Sequence, residues 1–166
     1  MNKNIIRAIL IILLIATFVR IFAFSSQDGE KSSSVSRKVT TAVTQNVKKI
    51  QDMDSKQREL TLNKIEHVIR KIAHFSIYTL VGILMMALMS TYDISKNKQI
   101  LVSILVGIIY ATSDEIHQYF IPGRSAMVTD VLIDTAGVCL GVSIVLMSLQ
   151  IYIKICKKRQ KSIEII

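Results

Sequence analysis

The chain has 166 residues, 51% hydrophobic and 20% charged, with one proline, no tryptophan and a formal net charge of +9. Its basic surplus does not indicate nucleic-acid binding: the densest run, KKRQK, directly follows an apolar block, where anionic lipid headgroups are the simpler partner. Of the two cysteines, Cys139 falls inside an apolar block and Cys156 in the basic tail, which gives neither an external disulfide nor zinc-type spacing.

The apolar residues gather into four blocks, 5–24, 72–90, 100–119 and 130–153. Each is close to the roughly 20 residues a helix needs to cross hydrocarbon. Backbone groups there find no water, so the helix is the expected form. The expectation is an all-α, polytopic membrane protein, one domain over 1–166 with four spans. The first block has Lys3 and Arg7 before it, and Ala23-Phe24-Ser25 imitates a signal-peptide cleavage site. Arg20 interrupts its apolar stretch, which is also long for a signal peptide, so an uncleaved anchor is expected.

The polar segment 28–70 follows. Val35, Val39, Val43 and Val47 recur every four residues, with Ile50 three further on, and mark one face of an amphipathic helix. Ser32-Ser33-Ser34 offers N-caps. A second helix is expected to begin at Asp54 or Ser55, with Leu60, Ile65, Val68, Ile69 and Ile72 on its apolar side, and to run on into the second span. Both helices would lie at the membrane surface or fold over the bundle.

Counting Lys and Arg sets the orientation. The N-terminus, the 91–99 loop and the 154–166 tail carry Lys3, Arg7, Lys96, Lys98, Lys154, Lys157, Lys158, Arg159 and Lys161 against Asp93 and Glu164. Short basic loops mark the cytoplasmic side. Both termini are thus expected inside the plasma membrane, with 25–71 and 120–129 outside.

The stretch ATSDEIHQYFIPGRSAMVTD, 111–130, ends the third span in ionisable groups. A charge at the centre of a spanning helix costs roughly 2.5–3.5 kcal/mol, so several at one depth point to a shared polar cavity. Asp114, His117 and Gln118 stand at i, i+3 and i+4, a spacing that puts them on one face. Asp130 and Asp134 open the fourth span. Gly107, Ala111, Gly137 and Gly141 would let the third and fourth spans approach closely. Ile121-Pro122-Gly123-Arg124 reads as a tight turn that returns Arg124 over the acids. Arg70, His74 and Tyr78 bring further polar groups on the second span, and Arg20 either snorkels to the headgroups or pairs with Asp134.

In combination, FSSQ (24–27), RKIAHFSIYTLVG (70–82) and YATSDEIHQYFIPGRSAMVTDVLIDTAGVCLG (110–141) resemble the VanZ-like family of bacterial membrane proteins. The resemblance places the family's signature positions on Ser26, Gln27, Lys71, His74, Tyr78, Asp114, Glu115, His117, Gln118, Arg124, Asp130 and Gly137; at 134 an Asn is more usual than this Asp. The family's name-giving member is associated with low-level resistance to the glycopeptide teicoplanin, so the resemblance implies a role in the envelope of a Gram-positive bacterium.

Three readings of the cluster stand side by side. In the first, the cavity binds or modifies a phosphate-bearing, lipid-linked envelope precursor or a glycopeptide. Arg124 would grip phosphate and Lys71 add a point charge, with Gln118, Tyr78, Asp130, Gln27 and Ser26 in the binding site. Glu115 or Asp114 would be the general base and His74 or His117 the acid. In the second, no cofactor being the primary expectation, Asp114 and His117 with Asp130 or Asp134 would hold magnesium, calcium or manganese. In the third, the charged network is structural or a proton relay in a non-catalytic binding or transport protein, with a homodimer compensating for the small number of spans.

Overall fold

The computed structural model describes residues 2–163, and every regular element among them is an α-helix. In chain order these are α1 (Lys3–Ser25), α2 (Gly29–Thr44), the one-turn α3 (Lys48–Gln51), α4 (Ser55–Met89), α5 (Lys96–Tyr119) and α6 (Val128–Ile163). Among the described residues α1, α4, α5 and α6 are long and apolar enough to cross a membrane. They contain the four apolar blocks of the sequence, and the protein is an all-α, multi-pass membrane protein. Residues 164–166 of the expected tail lie outside the described residues; 154–163 continue α6 without a break.

α4 starts where its local chemistry starts it. The Asp54 carboxylate accepts from the Lys56 amide at 2.9 Å, an N-cap that satisfies an otherwise orphaned donor. From there 35 residues continue as one helix, about 52 Å at 1.5 Å per residue. That exceeds a hydrocarbon core of about 30 Å, so the first turns of α4 stand clear of the membrane. α6, with 36 residues, overshoots the opposite face with Lys154, Lys157, Lys158 and Arg159.

These two long helices form the centre of the bundle and run parallel. A Cβ on Gly82 would strike the Val138 carbonyl, one on Gly137 the Phe75 carbonyl, and one on Gly141 the Thr79 carbonyl. In lipid, such backbone approach supplies the dispersion contacts that hydrophobic exclusion supplies in water. The sequence reading put Gly137 and Gly141 against the third span. They face α4 instead, and Gly107 is the α5 glycine that meets α6, through the Val138 side chain. Val138 thus serves both interfaces and is fully buried, with Tyr78, Val81, Met86 and Ala111 around it. α1 joins through Tyr110, whose ring stacks on Phe18 at 4.0 Å and whose hydroxyl donates to the Phe18 carbonyl at 2.6 Å.

α2 lies along the projecting part of α4. The contact face is not the valine stripe but Thr40 and Thr44, both buried, whose hydroxyls donate to carbonyls four residues back. Arg37 adds a hydrogen bond to Asn63 at 2.8 Å and a 3.9 Å ion pair with Glu66. Val35, Val39 and Val43 stay largely exposed beside this contact, Val43 at 63%. The helix begins at Gly29, so Ser32, Ser33 and Ser34 lie inside it and do not cap it. Its base is tied to the α5–α6 turn by the Gly29 amide, which donates to the Pro122 carbonyl at 3.1 Å.

Candidate functional site

The turn after α5 forms as its Pro-Gly pair dictates. The Arg124 amide donates to the Ile121 carbonyl at 3.2 Å, and Gly123 adopts φ +74°, which a residue with a Cβ rarely takes. This aims the Arg124 side chain back across the bundle. Its Nε donates to the Gln27 carbonyl at 3.0 Å, Nη2 to the Phe24 carbonyl at 3.0 Å, and Nη1 to Gln118 Oε1 at 3.1 Å. Two of the three acceptors are carbonyls at and just beyond the end of α1, where the regular helical pairing stops. Gln118 in turn donates to Asp114 Oδ2 at 3.1 Å, so Arg124 reaches the acid through one amide. Burial, and secondarily the neighbouring Arg70 guanidinium, lowers the Arg124 pKa against the opposing pull of Asp114, Glu115 and Asp28; a guanidinium stays charged regardless.

Beside this turn α4 and α6 enclose a polar cavity of about 130 Å³. His67, Arg70, Lys71 and His74 of α4 line it, with Arg124 from the turn, facing Asp130 and Asp134 of α6. Lys71 Nζ meets Asp130 Oδ1 at 2.7 Å. Deeper, His74 Nδ1 stands 3.7 Å from Asp134 Oδ2, beyond a good hydrogen bond, and Asp134 is fully buried. Among the described residues neither Asp134 oxygen, nor His74 Nδ1, nor the Tyr78 hydroxyl, nor Arg70 Nε has a hydrogen-bond partner in the protein. Unpaired buried polar groups each cost about 1–3 kcal/mol, so three such residues lining the cavity make it the candidate site.

The VanZ/LLP1 family model matches residues 10–150, which include every lining residue of this cavity. The chain belongs to the VanZ/LLP1 family. No curated protein and no solved structure matches it.

In this VanZ/LLP1 protein the residues singled out in the sequence separate into three groups. Lys71, His74, Gln118, Arg124 and Asp130 line the cavity. Asp114, Glu115 and Tyr78 are buried behind it; Glu115 Oε2 accepts from the Met127 amide at 3.0 Å, holding the loop before α6 as Gln118 holds Asp114. His117 and Ser26 stand apart from both groups. The His117 ring stacks on Phe22 at 4.6 Å and its Nε2 lies 3.1 Å from Ser26 Oγ, against α1. Gln27 contributes its carbonyl to Arg124. Arg20 lies over the Phe24 ring at 5.6 Å and not beside Asp134. Among the described residues no three of His, Cys, Asp and Glu converge as metal ligands would.

Arg70, Glu66 and His67 are the residues that sequence reasoning underweighted. Arg70 lines the cavity and its nearest acid is Glu66 at 3.8 Å, a buried carboxylate that also faces Arg37. The signal was available: Glu66, Arg70 and His74 succeed one another every four residues, one face of α4.

Proposed function

We propose that the protein works at the outer face of the plasma membrane, where its polar cavity binds the phosphate of a lipid-linked envelope precursor and thereby lowers susceptibility to glycopeptides such as teicoplanin. The observation that carries this reading is the cavity wall itself. His67, Arg70, Lys71, His74 and Arg124 converge there against only Asp130 and Asp134. Planar guanidinium groups suit phosphate oxygens, and Lys71 serves as a point charge beside them.

Arg70 takes the gripping role that the sequence assigned to Arg124. Three of the five guanidinium N–H donors of Arg124 already have protein acceptors, whereas Arg70 Nε has none among the described residues. The volume, about 130 Å³, is below the roughly 300–1,000 Å³ of sites that engulf a drug-sized ligand. A headgroup-sized anion is the matching guest. Placement on the outer face rests on the basic end of α6 and the basic 91–99 loop marking the opposite side.

A catalytic variant is favoured by one feature, the buried Asp134 standing 3.7 Å behind His74. In that variant Asp134 acts on His74 by charge across this distance, and His74 is the group able to exchange a proton with a bound phosphate ester. Asp114 and Glu115, occupied by Gln118 and the Met127 amide, support the framework.

The test is teicoplanin susceptibility of a sensitive Gram-positive host carrying wild type, Arg70→Gln or His74→Asn at matched membrane levels. Protection by wild type and loss in Arg70→Gln is the expected result. Retention of protection in His74→Asn assigns binding without proton transfer, and undiminished protection in Arg70→Gln refutes the phosphate site.

A further inference from the structure

A second space shares part of its wall with the first. It is an apolar groove of about 310 Å³ between α1, α2 and α4, walled by Ile21, Val35, Val39, Ile69, Ala73 and Ile77. Arg70, His74 and Arg124 border both spaces, so the groove ends on the cationic wall of the polar cavity. Ser25 lines the groove, 3% exposed, with its hydroxyl unpartnered among the described residues. Ile21 belongs to the last turns of the first span, and Ile69–Ile77 to the part of α4 that enters the apolar block, so the groove sits where hydrocarbon gives way to headgroups.

The valines of α2 have no other explanation in the fold. α2 packs on α4 through Thr40 and Thr44, and Val35 and Val39 line the groove while remaining 52% and 46% exposed. An α-helix is about 10–12 Å across with its side chains, so about 310 Å³ would take in only about two of its residues. One hydrocarbon chain fits.

Resting on the phosphate reading above, we propose that the groove seats the headgroup-proximal part of a single long hydrocarbon chain, whose phosphate ester meets Arg70, His74 and Arg124 at the border. The occupant is then an amphiphile bound across both spaces, its charge read by α4 and the turn and its chain by α2. Charge complementarity fixes the polarity: an alcohol of the same chain lacks the group that the guanidinium pair would hold, and inorganic phosphate lacks the chain.

The experiment uses the full chain reconstituted in phosphatidylcholine vesicles with a long-chain alkyl phosphate bearing a diazirine on its chain, followed by photolysis and peptide mapping. The matching alcohol, inorganic phosphate and a diacyl phosphatidic acid are run beside it. Expected is labelling of 32–39 and 69–77, reduced about tenfold, or 1.4 kcal/mol, when the alcohol replaces the phosphate. Val39→Trp, which fills the groove, is expected to abolish that labelling, whereas Val43→Trp, on the same stripe beyond the groove, leaves it intact. Val35→Trp repeats the block if Val39→Trp fails to fold. Phosphate-dependent labelling confined to other lipid-facing residues such as Ile109 and Ile116 overturns the groove and leaves the phosphate site standing. Equal labelling by phosphate and alcohol overturns both. Displacement by phosphatidic acid in preference to the single-chain phosphate, or full displacement by inorganic phosphate, overturns the single-chain occupant.

Discussion

An arginine staples each end of the bundle, and the two ends are otherwise unlike. At one end Arg7 donates from Nε to Thr91 Oγ1 at 3.0 Å and from Nη2 to the Thr91 carbonyl at 2.7 Å, with its guanidinium 4.2 Å above the Tyr92 ring. At the other, Arg124 takes the carbonyls of Phe24 and Gln27. Both close a helix end by offering donors to carbonyls where the regular helical pairing stops. Among the described residues, the buried side-chain atoms left unpartnered include Gln99 Oε1 at the Arg7 end, whereas at the Arg124 end they belong to Ser25, Arg70, His74 and Asp134. The same device thus holds a closed end and an open one, and the open one is where stability has been given up for a site.

The sharpest way to break this contrast is to remove the staples. Arg124→Ala deletes three charge-assisted hydrogen bonds, each worth about 1.5–3 kcal/mol and not fully additive. It is expected to abolish protection against teicoplanin and to lower the thermal midpoint in detergent more than any other change here, with Arg124→Lys failing to restore either, since an ammonium cannot serve three fixed acceptors. Arg7→Ala is expected to cost about 2–3 kcal/mol by the same measure while protection at matched membrane levels stays intact. Altered protection in Arg7→Ala would end the division into a structural and a functional end.

Finer changes sharpen it. Asp134→Asn keeps volume and removes a buried carboxylate, so stability should move by no more than about 1 kcal/mol, while the catalytic variant requires protection to disappear. A double-mutant cycle on Lys71→Gln and Asp130→Asn should give a coupling of about 1 kcal/mol, the pair being partly exposed. His117→Phe, which keeps the stack on Phe22, should change stability by about 0.5 kcal/mol or less and leave protection untouched. A larger loss of protection would return His117 to the site.

What could be read in the sequence was whatever is decided locally. Span number follows from apolar run length, the start of α4 from Asp54, and the 121–124 turn from Pro122-Gly123, because each depends on a few adjacent residues. Arg124 was aimed correctly, yet its partners were invisible: every residue offers a carbonyl, and only the bundle decides that those of Phe24 and Gln27 are the ones within reach. The placement of His117 has the same origin. Spacing at i, i+3 puts it near the face of Asp114, but that face is broad, and α1 takes the His117 edge while Gln118 takes the other. Gly137 and Gly141 announced a close approach without naming the helix that makes it. The valine stripe was real as a pattern, but in a protein with lipid around it an apolar face need not turn inward.

α4 carries Glu66, Arg70 and His74 on one uninterrupted shaft, from the part that holds α2 to the part packed against α6. A shaft transmits rotation. One residue inserted between Glu66 and His74 would turn everything on one side of it by about 100°, swinging the seat of α2 off the groove while leaving every span intact. Insertions in this chain should therefore be silent at 52–53, between α3 and the α4 cap, and ruinous about a dozen residues later, a steep gradient of tolerance within a region that composition alone treats as one linker.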